Sequence, residues 1–134
     1  MAAAAHGGLC HSPAHLITGH LLRIRRLEER GSMDHLEDNH ISAGTLIEAR
    51  MMAIGLNVLD ELDELITEFG IRIAPVDASQ ARIAAQGFAK YGKGGHAARL
   101  NFGDLFAYAL AKTRDDPLLF KGDDFAKTDV KRAI

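Results

Sequence analysis

The sequence predicts an α/β domain in which a parallel β-sheet is flanked by α-helices, and three observations support this fold class. Short apolar segments suited to strands lie at 41–44, 71–76 and 117–120. The stretches between them have helical spacing, and strands that alternate with helices form parallel sheets. The chain has 134 residues, of which 47% are apolar and 25% are charged, as in a globular domain.

The first half of this domain is predicted to contain strand, helix, helix and strand. The small residues at 41–44 form a short strand that leads into a helix over 45–53. Apolar residues then recur every three or four positions, which predicts an amphipathic helix that ends at Gly70. These residues are Leu56, Leu59, Leu62, Leu65, Ile66 and Phe69. The segment 71–76 alternates as a strand does, with Pro75 near its end.

Two helices with predictable starts follow. Asp77 is suited to cap a helix over 80–90. After a glycine-rich basic loop, Asn101 can cap a helix over 103–113, with Asp104 as the reciprocal partner of a capping box. The last apolar run predicts a buried strand, and a final helical turn completes the domain.

Residues 1–39 differ in composition from the rest of the chain. Six of the seven histidines lie within the first 40 residues. We therefore expect an atypical histidine-rich segment over 1–39 and the α/β domain over 40–134.

Charge, cysteine content and hydropathy exclude several classes of protein. The net charge of -2 excludes a histone-like polycation. A lone cysteine, Cys10, excludes a disulfide framework and a cysteine zinc cage, and fits a reducing cytoplasm. No apolar run approaches the roughly 18–20 residues that span a bilayer. We expect a cytoplasmic protein with no membrane partner.

Acidic residues follow two of the predicted strands and begin one of the helices. Glu48 lies in the helix after the strand at 41–44, Asp104 lies at a helix N-terminus, and Asp123 and Asp124 follow the last strand. Ligands of parallel sheets gather beyond the carboxyl ends of the strands, so we expect these acids to converge there. Their oxygen atoms suit Mg²⁺ or Mn²⁺, and such ions can activate water for attack on a phosphodiester.

Each of these acids also has a purely structural interpretation. Asp104 can be only a helix cap, and the pair Asp123 and Asp124 can be only a turn. Spacing alone leaves both interpretations open.

Residues 40–134 resemble the PIN-domain ribonucleases, specifically the VapC-type toxins of bacterial toxin–antitoxin pairs. The resemblance is carried by ISAGTLIEARMM, by YGKGGHAARLNFGDLFAYALAK and by PLLFKGDDFAKTDV. It implies a small PIN-like α/β domain that binds Mg²⁺ or Mn²⁺ through a quartet of acids and cleaves RNA by means of a metal-activated water. It also implies a VapB-like antitoxin as partner and a homodimer.

The resemblance assigns three of the four family acids. The acid of the IEA helix corresponds to Glu48, the acid of NFGD to Asp104, and the final acid of GDDF to Asp124, with Asp123 as a close alternative or helper. We expect Glu48, Asp104 and Asp124 to be catalytic, and we expect these three and Asp123 to be metal ligands.

The chain departs from the family pattern at its first strand. In family members the first strand ends in an Asp-Thr-Ser or Asp-Ala-Ser motif, and the Asp of this motif is the fourth metal ligand. The corresponding place is near 9–12, where the chain has Leu-Cys-His-Ser and no acid. We therefore expect the first strand to be missing or altered, and a shifted reading frame upstream of residue 40 is one hypothesis that explains it. The alternative function is a catalytically degenerate PIN domain that only binds antitoxin or RNA.

Basic residues near the acids are candidates for contact with the substrate. Lys93 and Arg99 lie in the glycine-rich loop before the Asp104 helix, and Lys121 lies beside the last strand. Such residues can bind the phosphates of RNA. A solvated surface loop is the alternative interpretation.

Overall fold

A computed structural model describes residues 9–11, 39–120 and 123–132 of the chain. Its four strands are β1 (Leu9–His11), β2 (Asn39–Ser42), β3 (Arg72–Ala74) and β4 (Leu118–Leu119). Its four α-helices are α1 (Ala43–Gly55), α2 (Leu59–Glu68), α3 (Ala78–Tyr91) and α4 (Phe102–Arg114). A 3₁₀ turn, Phe125–Lys127, follows β4. The predicted α/β class is confirmed.

The four strands form one sheet in the order β3-β2-β1-β4, and every pairing is parallel. Strand β1 is therefore an interior strand, with Cys10 opposite His40 of β2 on one side and Leu118 of β4 on the other. The first strand is thus present, in an altered form of three residues without an acid. The division of the chain at residue 39 stays a prediction, because 12–38 lie outside the described residues.

The buried apolar side chains of the described residues form two clusters, and each joins strand residues to helices. One cluster joins Ile41 of β2 to the inner faces of α1 and α2, where Leu62 and Leu65 are buried. The other joins α4 to β4 and to the 3₁₀ turn, with Leu118 and Phe120 among its buried members. The two clusters fix α1 and α4 relative to the carboxyl ends of the strands.

Capping residues begin three of the helices, and the caps of α3 and α4 are those predicted from the sequence. Asp77 accepts a hydrogen bond from the backbone N–H of Gln80 at 2.9 Å, which begins α3. Asn101 and Asp104 form the predicted capping box of α4. Ser42 accepts a bond from the backbone N–H of Gly44 at 3.3 Å, which begins α1.

Two predicted boundaries are wrong for local reasons. The strand predicted at 41–44 ends at Ser42, because the Ser42 cap starts the helix at Ala43. The helix predicted from Leu56 begins at Leu59, because Asn57 adopts a left-handed conformation with φ 58° and separates α1 from α2. Within the described ranges, no helix is long and apolar enough to cross a membrane.

Candidate functional site

Three of the predicted acids lie around the N-terminus of α4. Glu48 is in the second turn of α1, directly after β2. Asp104 is in the first turn of α4, and Asp124 precedes the 3₁₀ turn that follows β4. Both β2 and β4 are parallel strands, so the segments after them begin at the same edge of the sheet.

Glu48 packs against the backbone of α4 at Gly103. A Cβ atom at position 103 would lie 2.6 Å from the Glu48 Cδ and closer still to its Oε2. Because glycine has no side chain, position 103 leaves room for the Glu48 carboxylate. This contact places Glu48 beside Asp104, the next residue of α4.

The capping box holds the Asp104 carboxylate in place. Its Oδ2 accepts a hydrogen bond from the backbone N–H of Asn101 at 3.0 Å, while its own N–H donates to Asn101 Oδ1 at 3.0 Å. The structural interpretation of Asp104 as a cap is thus correct. It leaves the other carboxylate oxygen, Oδ1, available to a second partner.

Burial and mutual repulsion destabilise the charges of this cluster. Burial raises the pKa of Asp104, the hydrogen bond from Asn101 opposes that shift, and the nearby Asp124 raises the pKa further. Burial also raises the pKa of Glu48, and the charge of Asp104 adds to the effect. Among the described residues no Lys or Arg forms an ion pair with Glu48 or Asp104. A cation from outside the protein would relieve the repulsion.

The donor set fits a hard divalent cation. The acids are neighbours in pairs, Glu48 with Asp104 and Asp104 with Asp124. In the described part of the chain, no three His, Cys, Asp or Glu side chains converge on one point that could hold an ion. Mg²⁺ is commonly held by one or two carboxylates and completed by water, so a pair of acids is sufficient.

The remaining predicted residues lie farther from this pair or outside the described ranges. Asp123 is exposed next to Asp124, and no contact in the described residues joins it to Glu48 or Asp104. Lys121 lies outside the described residues. The roles predicted for both stay predictions.

The loop with Lys93 and Arg99 leads directly into α4. The backbone N–H of Lys93 donates to the carbonyl of Leu100 at 2.9 Å, and the N–H of Leu100 donates to the carbonyl of Tyr91 at 2.9 Å. These bonds close the loop on the residue that precedes the Asn101 cap. Lys93 and Arg99 are both exposed, and Arg99 lies five residues before Asp104 in the sequence.

Three features of the site were not predicted from the sequence. Gly103 makes room for Glu48, Phe102 is exposed beside it, and the hydroxyl of Thr45 is buried without a hydrogen-bond partner among the described groups. The NFGD motif contains the first two, but only the approach of α1 shows that Gly103 contacts Glu48. Their roles depend on contacts between residues far apart in sequence.

Comparison with known proteins agrees with the fold. Residues 16–131 match the family model of the PIN domain. A VapC ribonuclease of Mycobacterium bovis, Mb2780c, is 53% identical over 73 residues, which cover 54% of this chain and 56% of the relative. The chain therefore spans a little over half the length of that relative. A second, Mb0640, is 38% identical over 109 residues, which cover 78% of this chain and 81% of the relative.

Two solved structures share the fold at low sequence identity. A toxin–antitoxin complex from Klebsiella pneumoniae matches with a TM-score of 0.63 and 19% identity, over 90% of this chain and 92% of that one. VapBC2 from Rickettsia felis, bound to a DNA fragment from its promoter, matches with a TM-score of 0.68 and 12% identity, over 93% and 96%. These likenesses support the arrangement of strands and helices described above.

Proposed function

The chain belongs to the PIN-domain family, and from that premise we propose that it is a VapC-like endoribonuclease that depends on a divalent metal ion. The observation that carries this proposal is the cluster of Glu48, Asp104 and Asp124, in which burial and a neighbouring carboxylate raise the pKa of Glu48 and of Asp104, and no Lys or Arg of the described residues forms an ion pair with either. Relatives at 38–53% identity are named VapC ribonucleases, which supports RNA as the substrate.

Each acid has a distinct part in the proposed site. Glu48, Asp104 and Asp124 would hold Mg²⁺ or Mn²⁺, with Asp123 as a helper. The bound ion would supply a water of lowered pKa and would neutralise charge on the phosphodiester. The capping box orients Asp104 for this role, since its Oδ2 is fixed by Asn101.

The exposed cations would position the RNA backbone. Lys93 and Arg99 lie on the loop that ends at the Asn101 cap, so a phosphate chain that contacts them continues toward the acids. Lys121 is proposed for the same role because it lies three residues before Asp124. These contacts would weaken as the salt concentration rises, as contacts with phosphates do.

One observation favours the second candidate, a degenerate PIN domain that binds RNA or antitoxin without cleavage. Strand β1 is an interior strand, and none of its three residues is acidic. The metal site would then contain one acid fewer than the family quartet, and its affinity for the ion would be lower.

RNA cleavage by the complete purified chain tests both candidates. The chain is incubated with single-stranded RNA in Mg²⁺ or in EDTA, beside the variants Cys10→Asp and His11→Asp. Adjacent strand residues point to opposite faces, so the pair tests both orientations of a restored acid. Cleavage in Mg²⁺ by the unmodified chain supports the ribonuclease. A folded, silent chain that is activated by one of these substitutions supports the degenerate domain.

We also propose a VapB-like antitoxin as partner, bound on the exposed face of α1. Ile47, Met51 and Ile54 follow each other at helical spacing, and each is more than 60% exposed. Such an apolar stripe is what an amphipathic partner helix covers. Met51→Glu should abolish co-purification with the cognate antitoxin while leaving the fold intact. Retained co-purification contradicts this placement, and Arg82→Glu on α3 is the matched control.

The homodimer is proposed on the family resemblance alone. Analytical ultracentrifugation of the complete chain without antitoxin tests it. A mass of two chains is expected, and a single chain at micromolar concentration contradicts the dimer.

A further inference from the structure

Phe102 is the most exposed of the large apolar side chains in the described residues, at 77%. It is the first residue of α4 and precedes Gly103, on which Glu48 packs. An aromatic ring therefore stands in solvent within two residues of Asp104. The cap of α4 is formed by Asn101 and Asp104 and does not require an aromatic residue at this position.

The packing of α4 explains how the ring is held without being buried. Phe106, one turn further along, fills the space against α1 that Gly44 leaves open. The Phe102 ring meets the Phe106 ring at a centroid distance of 5.1 Å and an angle of 81°. This edge contact restricts the Phe102 ring and leaves most of its surface accessible.

The charges around Phe102 define the ligand that suits it. The two residues after Phe102 are Gly103, against which the Glu48 carboxylate packs, and Asp104, and the exposed cations Lys93 and Arg99 lie on the loop that precedes α4. A single nucleic-acid strand has flat apolar bases for the ring, and phosphates for the cations and for a metal ion at the acids. An apolar peptide helix on Phe102 would instead desolvate the neighbouring carboxylates without neutralising them.

We propose that Phe102 stacks on an unpaired base of the RNA next to the phosphate that lies at Glu48 and Asp104. This inference rests on the proposed function and adds to it a requirement for single-stranded substrate. A base within a duplex has both faces covered by its neighbours and cannot stack on Phe102. Stacking is tolerant of sequence, because every base has a flat face.

A tryptophan at position 102 reports this contact directly. The chain contains no Trp, so Phe102→Trp introduces one fluorophore. The variant is titrated with eight-nucleotide oligouridylate and oligoadenylate in Ca²⁺, and with a duplex of the same length. We expect saturable quenching by both single strands and none by the duplex. The control is Leu56→Trp, whose exposed residue lies about 12 Å along α1 from Glu48, and its fluorescence should not change.

Substitution by alanine measures the contribution of the ring. Phe102→Ala should weaken binding of the oligonucleotides roughly 5- to 150-fold, the usual range for one stacked base, and Phe102→Tyr should restore it. In cleavage assays the loss should appear in KM. The stability of the fold should change little, because the ring is mostly exposed and loses only its edge contact with Phe106.

The outcomes separate this inference from the proposed function. Quenching of the Phe102→Trp fluorophore without any cleavage supports stacking and refutes the ribonuclease. Cleavage with equal KM in the original chain and in Phe102→Ala supports the ribonuclease and overturns stacking. Loss of antitoxin binding by Phe102→Ala with unchanged RNA binding also overturns it, since the ring would then be a protein contact.

Discussion

Asp104 lies in the first turn of α4 and Asp129 contacts the same helix, and their surroundings act on the carboxylate charge in opposite directions. Burial and the neighbouring Asp124 raise the pKa of Asp104, against the single hydrogen bond from Asn101. For Asp129, burial also favours the neutral form, but hydrogen bonds from Lys112 and Tyr108 outweigh it and lower the pKa. The Lys112 Nζ lies 2.9 Å from Asp129 Oδ2, and the Tyr108 hydroxyl lies 2.9 Å from Oδ1.

The difference separates a structural acid from an acid that is suited to an external ligand. Asp129 has its cation within the protein, and with Tyr108 and Lys112 it attaches the end of the chain to α4. Tyr108 remains a donor, because burial and the charge of Asp129 raise the pKa of its phenol. Asp104 has no such cationic partner within the described ranges, and Asp124 adds further negative charge beside it. We expect function to depend on the acids around Asp104, the first region, and stability to depend on the contacts among Gly87, Tyr108 and Asp129, the second region.

The largest effect is expected for Asp104→Asn. This change removes one carboxylate of the proposed metal site but keeps an oxygen for the capping bond with Asn101. Cleavage of single-stranded RNA in Mg²⁺ should fall by about 10²-fold or more, and the thermal midpoint should stay the same or rise because repulsion is removed. Asp129→Asn is the control and should retain cleavage. Equal losses in both variants would remove the distinction between the two acids.

Gly103→Ala should damage the same region by displacing Glu48. A Cβ at position 103 overlaps the Glu48 carboxylate, which is the flexible end of a side chain and can move aside. Stability should therefore change little, while cleavage should fall about 10- to 100-fold because the acid is misplaced. Steady-state cleavage and thermal unfolding are measured together. Unchanged cleavage would show that the contact between Glu48 and Gly103 has no part in the site.

Gly87→Ala is the matched change in the second region. Its Cβ would lie 2.5 Å from the ring of Tyr108, which is buried and cannot move aside. We expect the free energy of unfolding in urea to fall by about 1–3 kcal/mol through overpacking, with cleavage per folded molecule unchanged. A stable variant with reduced cleavage would contradict the assignment of this region to stability.

Asp129→Asn should cost less, about 1 kcal/mol at neutral pH, because the ion pair is partly exposed. The lowered pKa makes this contribution complete above the ordinary carboxyl value of 3.8 and lost as the pH falls through the lowered value. The unfolding curves of the two proteins should therefore converge in acid. For Asp104 the sign is reversed, since its raised pKa makes the metal-free fold less stable as the pH rises from 3.8. Asp104→Asn should reduce that slope.

Local patterns in the sequence predicted the caps that begin α3 and α4, and long-range packing determined the rest. Asp77 and the pair Asn101 and Asp104 act within three residues, so their spacing is sufficient to identify them. The convergence of Glu48 on Asp104 followed from the strand-edge rule and from the family resemblance. The bond between Tyr108 and Asp129 joins residues 21 apart and has no sequence signature.

The first strand is an element that local patterns in the sequence could not predict. Leu9–His11 has no alternation and no β-branched residue, yet it lies between β2 and β4. Its parallel neighbours place a strand there, and three residues are too few for a periodic pattern. The exposure of individual aromatic side chains was equally unpredictable. Phe102 and Phe106 both belong to α4, but α1 covers Phe106 and leaves Phe102 exposed.

Binding of Mn²⁺ to the complete chain tests the central claim most directly. Electron paramagnetic resonance follows the free ion during titration of the original chain, Asp104→Asn and Asp129→Asn. The account predicts one site per chain in the original protein, an affinity at least about tenfold lower in Asp104→Asn, and unchanged binding in Asp129→Asn. Equal affinity in the original chain and in Asp104→Asn would contradict it.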